Sequence, residues 1–222
     1  MPVVGVFGGG PLGHPFIHVE EGGSPMTASV ISICNMALSA VGGYAIASLD
    51  EQSAEARACL QHYEPCRDEV LRAFEWPFAT KVVALPTVAD VRFPGWEYVY
   101  AFPSDCLFAR AVIPPNGQLV PVVLFEVRAS NNGTSKYIVT DLAQAYLEYT
   151  AKIEDPTMYD PQFIRALSYY LGAQIAVALS SDGNKRKEMM ELYLYAISMA
   201  KTSSANERKR EIKYDRYRKA RL

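Results

Sequence analysis

Cys59, His62 and Cys66 are the residues whose types and spacing come nearest to a metal site. At i, i+3 and i+7 of one helix face they offer two thiolates and an imidazole, donors that zinc accepts. Three ligands strung along a straight helix do not converge on one ion, and a fourth must come from elsewhere. Core cysteines beside an amphipathic histidine are the simpler reading. The other two histidines, His14 and His18, lie in a stretch rich in glycine and proline, so no Ser/His/Asp or Cys/His relay can be assembled from them. Gly8-Gly9-Gly10-Pro11-Leu12-Gly13 has GxGxxG spacing after Val3 to Phe7. That fingerprint needs a helix opening at its third glycine to hold a pyrophosphate. Pro15, Gly22, Gly23 and Pro25 forbid such a helix, and no acidic residue at 32–34 is placed to take a ribose. Asp50, Glu51, Asp155 and Asp160 fall at expected helix starts, where the dipole favours them, so capping outweighs acid–base work. Asn132-Gly133-Thr134 has the form of a glycosylation sequon but reads as a hairpin turn, since the N-terminus lacks the pattern of a secretory signal. The expectation is a chain with no catalytic residues, no metal and no cofactor.

Charge supplies the other chemistry. Sixteen residues from Glu207 to Leu222 carry eight basic and three acidic side chains, so the overall charge of −2 splits into +5 on this tail and −7 on the rest. Ile212, Tyr214 and Tyr217 alternate with Arg208, Lys209, Arg210, Lys213, Arg216 and Arg218. A solvated helix end, an arm that orders on a partner protein and a nucleic-acid contact are the three readings. Aromatic and Arg residues make good interface anchors, which favours the docking arm. The interspersed Glu207, Glu211 and Asp215 weigh against nucleic acid.

The surrounding elements follow from periodicity. Half of the 222 residues are hydrophobic, enough for one core-bearing domain. No apolar run approaches the roughly 18 residues that span a bilayer. Cys34, Cys59 and Cys66 sit among apolar neighbours on predicted helices and, with Cys106, read as reduced thiols rather than a disulfide framework. Residues 1–25 read as an irregular arm. Helix one is expected from about Ala28 to Val41, ended by Gly42-Gly43. Ser48-Leu49-Asp50-Glu51 reads as a capping box that starts helix two, which runs to about Glu75 with a kink or break at Pro65. Strands are expected at Thr80–Leu85, Glu97–Ala101, Leu107–Ile113, Leu119–Val127, Lys136–Thr140 and Gln144–Thr150. Asn116-Gly117 and Asn132-Gly133 suit tight turns, and an antiparallel meander is the natural topology. Asp160-Pro161 caps helix three, Ser181-Asp182-Gly183-Asn184 ends it, and helix four runs from about Lys185 to Ala205. The fold class is α+β: a four-helix bundle-like body with an antiparallel β-meander insertion and extended terminal arms. The domain, 26–206, divides into helical 26–79, β 80–152 and helical 153–206, and a basic tail at 207–222 follows it.

The order of motifs resembles a known family. Asn35 to Leu38 with Gly42, the Ser48–Glu51 box, and Arg67-Asp68-Glu69-Val70-Leu71 followed by Trp76-Pro77-Phe78-Ala79 come first. Trp96 to Tyr100, Pro103-Ser104-Asp105-Cys106 and Asp155-Pro156 through Phe163 come next. Together they resemble the head-to-tail adaptors of short-tailed bacteriophages, the tail tubular protein A family, over roughly Thr27 to Ala205. The resemblance implies a structural virion protein: a ring, usually of twelve copies, between the portal protein and the tail nozzle. DNA passes through its channel without sequence-specific binding. The helices would form the ring wall, the β region would face the nozzle, and the C-terminal segment would dock on the portal. It implies a location in the phage neck, reached from the host cytoplasm during assembly, and no membrane. Trp76, Pro77, Phe78, Trp96 and Asp105 become structural residues on this view. The alternative is a DNA-binding accessory protein that acts through the basic tail.

Overall fold

The computed structural model describes residues 28–115, 123–180 and 183–219, with side chains as far as Ala205 except that of Ser180. The expected arm at 1–25 and the Asn116-Gly117 turn lie outside the described residues. Within them the chain is α+β, with four α-helices and two small antiparallel sheets.

Helix α1 (Val30–Val41) starts on a Ser29–Ser32 capping box, in which each serine oxygen accepts the other's backbone N–H, at 3.0 and 2.9 Å. It ends where Gly42 turns left-handed at φ 81°, a conformation open to glycine because no Cβ meets the carbonyl. Helix α2 (Ala54–Ala73) begins later than the sequence suggested. Its cap is Ser53, whose oxygen accepts the Ala56 N–H at 3.1 Å. Glu51 does reach back to the Ser48 N–H at 3.0 Å, but Ser48 accepts from Asp50 and closes a turn one step ahead of the helix. Pro65 does not break α2, which runs through it as one element.

Helix α3 (Pro161–Ser180) opens as expected, with the Asp160 carboxylate accepting the Gln162 N–H at 2.7 Å and proline in the first turn, where no amide is missed. It is the element that the other helices share: α1, α2 and α4 each pack on it, while α1 and α2 barely meet. Gly172 admits the Met189 side chain and the Ala37 carbonyl. Helix α4 runs from Gly183 to Lys219, 37 residues against the 20 of α3. The expected end near Ala205 is therefore corrected: the basic stretch continues the same helix, and through Lys219 it is not an extended arm.

The strands are β1 (Thr80–Ala84), β2 (Tyr98–Ala101), β3 (Cys106–Ile113), β4 (Phe125–Ala129), β5 (Lys136–Thr140) and β6 (Tyr146–Ala151). They do not form a meander. One sheet has the order β1-β6-β3 and the other β2-β5-β4, so the chain alternates between sheets and only β4 and β5 pair as neighbours in sequence. Turn residues specify where a chain reverses, not which strand it pairs with, so alternation alone pointed to the wrong partners. Tyr100, Val112, Ile138 and Leu147 come from both sheets and share one small core. A larger core holds the four helices.

Candidate functional site

The Trp76-Pro77-Phe78 step joins helical body to sheets. Helix α2 ends at Ala73, Phe74 is already extended, and after Trp76 the proline opens one 3-10 turn (Pro77–Ala79) that leads into β1. Trp76 is only 2% exposed. Its indole N–H donates to the Val70 carbonyl at 2.9 Å, and the Thr80 hydroxyl donates to the Trp76 carbonyl at 2.9 Å. Phe74 and Phe163 stand edge-on to the indole at 5.0 and 5.2 Å, an arrangement that aromatic quadrupoles favour. Phe78 extends the cluster to Tyr159 and Phe163.

Two arginines tie the first sheet to the end of α2. Arg110 donates to the Arg72 and Phe74 carbonyls, both at 3.1 Å, and to the Thr150 hydroxyl at 2.9 Å. It thereby satisfies carbonyls that α2 leaves open at its end. Arg72 donates to the Leu107 carbonyl at 2.8 Å, and both guanidinium groups lie over the Phe108 ring. Asp105, at the start of β3, accepts from Lys81 at 2.7 Å and from the Tyr149 hydroxyl at 2.8 Å. Lys81 and then Tyr149 hold its carboxyl below the usual carboxylate range. Trp96 is half-buried in the loop before β2, away from the Trp76 cluster.

A buried polar group lies on α2, at a residue that the sequence marked as part of a motif and not as buried. Arg67 is 3% exposed, pairs with Asp68 at 2.8 Å and reaches toward Glu154 at 4.0 Å. The Tyr63 and Tyr159 hydroxyls lie beside each other nearby, and Tyr159 donates to the Ile153 carbonyl at 3.0 Å. The signal was available: Arg67 sits on the apolar stripe of α2, four residues after Tyr63 and three before Val70.

Cys34, Cys59 and Cys66 are buried and free, and burial pushes the Cys66 thiol up to about 12. The hydrogen bond between Cys34 and Cys59, together with burial, drives Cys34 up, and the same bond lowers Cys59. Burial and the Asp105 charge take Cys106 to about 11. Cys34, Cys66 and Cys106 are thus held as thiols, and a protonated thiol is a poor nucleophile and a poor ligand. His62 stands near the cysteines on α2, yet among the described residues no three His, Cys, Asp or Glu side chains could hold a metal ion. His14, His18 and the GxGxxG stretch lie outside the described residues. Asn132-Gly133 forms the expected turn: Gly133 has φ 71°, and Ser130 and Ser135 close the hairpin at 2.8 Å.

The remaining candidates are surfaces. A groove of about 520 Å³ runs between α3 and α4, lined by Arg165 and Tyr169 from the first and Leu192, Tyr195, Met199 and Thr202 from the second. Tyr195 is 65% exposed and Met199 50%. At roughly 1.5 Å per residue α4 is about 55 Å long and α3 about 30 Å. The groove places Gln162 and Arg165, in the opening turns of α3, beside Thr202 and Ser203. The rest of α4 outruns its partner, and Arg208, Lys209, Arg210, Ile212, Lys213, Tyr214, Arg216, Tyr217 and Arg218 fall on that extension. Their side chains lie outside the described residues.

No family model and no curated protein matches this sequence. The functional reading therefore stands on the residues and their geometry. Among the described residues no helix is long and apolar enough to cross a membrane.

Proposed function

We propose that this chain is a ring subunit of a phage neck, the head-to-tail adaptor between portal and tail nozzle. The observation that carries the proposal is the single 37-residue helix α4, anchored on α3 and continuing into the basic stretch. A helix fixed at one end presents its charges as a stiff rod, which suits docking against an acidic surface of a large partner better than a loose tail does. Three residues of the motif series that suggested the family occupy structural positions: Asn35 clamps a loop, Trp76 seals the body to the sheets, and Asp160 caps α3. In this role the helices form the wall of a ring of about twelve copies and the sheets face the nozzle. A body charge of −7 per copy would line the assembly with negative charge, over which DNA slides rather than sticks.

The test is the mass of the protein in solution, alone and mixed with purified portal rings of the same phage. A ring-sized complex on the portal is the expected result, and a monomer that ignores the portal overturns the proposal. In that case a salt series with duplex DNA tests the alternative, since affinity carried by the basic extension falls steeply as salt rises.

A further inference from the structure

Tyr44 is the most exposed large hydrophobic side chain among the described residues, 83% accessible, and it stands on a loop with little freedom. Gly43 donates back to the Leu38 carbonyl at 2.9 Å. The Asn35 side chain grips Ile46 twice, donating to its carbonyl at 2.9 Å and accepting its N–H at 2.8 Å. Ile46 itself is buried. The loop therefore holds both of its ends and points an aromatic ring into solvent. A tyrosine on a fixed loop is a low-entropy anchor, because only two side-chain torsions remain to be frozen on contact.

The α3–α4 groove is the complementary shape. It is concave, its walls are Tyr169, Leu192, Tyr195 and Met199, and it has Thr202 to meet a phenol hydroxyl. Charge points the same way. From Tyr44 to Ala56 the chain carries Asp50, Glu51 and Glu55 and no basic residue, whereas the charged side chain lining the groove is Arg165.

We propose that Tyr44 of one copy seats in the α3–α4 groove of the next, with the acidic turn after it facing Arg165. Knob and groove are different surfaces, so the contact is head to tail, and repeating it gives a ring when the rotation closes. This rests on the ring reading above and names the contact that makes the ring.

The experiment uses the full chain carrying Ala45→Cys, beside the intact Tyr44, and Met199→Cys together, treated with a bifunctional maleimide, free and on portal rings. Both positions are at the surface, and each single variant controls for reaction at the half-buried Cys106. The expected product is a ladder of dimer, trimer and higher species from the double variant and no ladder from either single one. Tyr44→Ala should weaken association of copies about tenfold or more while leaving the circular-dichroism spectrum unchanged. Dimers alone would mean a two-fold contact and overturn the inference. So would portal-bound rings that assemble normally without cross-linking, an outcome that leaves the adaptor reading standing. A ladder from a protein that never binds the portal keeps the inference and removes the adaptor reading.

Discussion

At the residue scale, Trp76 binds Val70, Thr80 and three rings from one buried position, and no smaller side chain reaches them all. Trp76→Ala should cost about 3–5 kcal/mol in chemical denaturation, as deletion of large buried aromatics does. A loss below about half a kcal/mol would mean that the ring contributes no packing. Asp105 gives a pH signature. Its folded carboxyl is held below the unfolded value of 3.8, so its contribution is present above that pH and is lost as the pH falls through the lower folded value. Asp105→Asn should therefore lower the melting temperature at neutral pH, and the gap from the wild type should close as the pH drops below about 4. An equal gap at pH 7 and pH 3 would remove the charge from the account. The importance of Trp76 was legible because a large aromatic beside proline, where an amphipathic helix gives way to strands, is placed to pack at the junction. Arg67 was legible in part: its place on the apolar stripe and its neighbour Asp68 stood in the sequence, but Glu154 comes near it only through the fold.

At the element scale, Arg110 acts as a cap supplied by another strand. Arg110→Ala should lower stability by about 1.5–3 kcal/mol, the range for hydrogen bonds to charged groups. Hydrogen exchange should speed up in the last turn of α2 while α3 stays protected. Uniform acceleration through the chain would argue that the arginine serves the core in general. Helix starts were partly legible. Asp160-Pro161 acted as read, but Ser53 displaced Ser48 as the cap of α2, since Ser48 spends its oxygen on Asp50 inside a turn. At α1 a Ser-x-x-Ser pair did what Ser-x-x-Glu does elsewhere. Five of the six expected strands lie within a residue or two of the observed ones; residues 119–122 of the Leu119–Val127 expectation lie outside the described residues, and in its described part the strand is Phe125–Ala129. Their partners were illegible because pairing such as Thr80 with Thr150 is set by packing between sheets, not by any nearby residue.

At the scale of the whole molecule, the charge split becomes a mechanical arrangement, an acidic body with a basic helical extension. On the proposed adaptor role, deleting Arg208 to Leu222 should leave the melting temperature within a degree or so and weaken portal attachment in a sedimentation assay. Unchanged attachment would assign the extension to solvent. The continuity of α4 was not legible, since dense like charge ordinarily marks the place where a helix frays. The central position of α3 has a further consequence, for the order of events during synthesis. Helices α1 and α2 find their main partner only in residues 161–180, and β1 finds β6 only after residue 151. The first half of the chain thus leaves the ribosome with its apolar faces bare, and neither sheet closes early. Folding is a late event that depends on distant contacts, which slows it. Truncations ending before α3 should bind chaperones and aggregate rather than form a smaller domain.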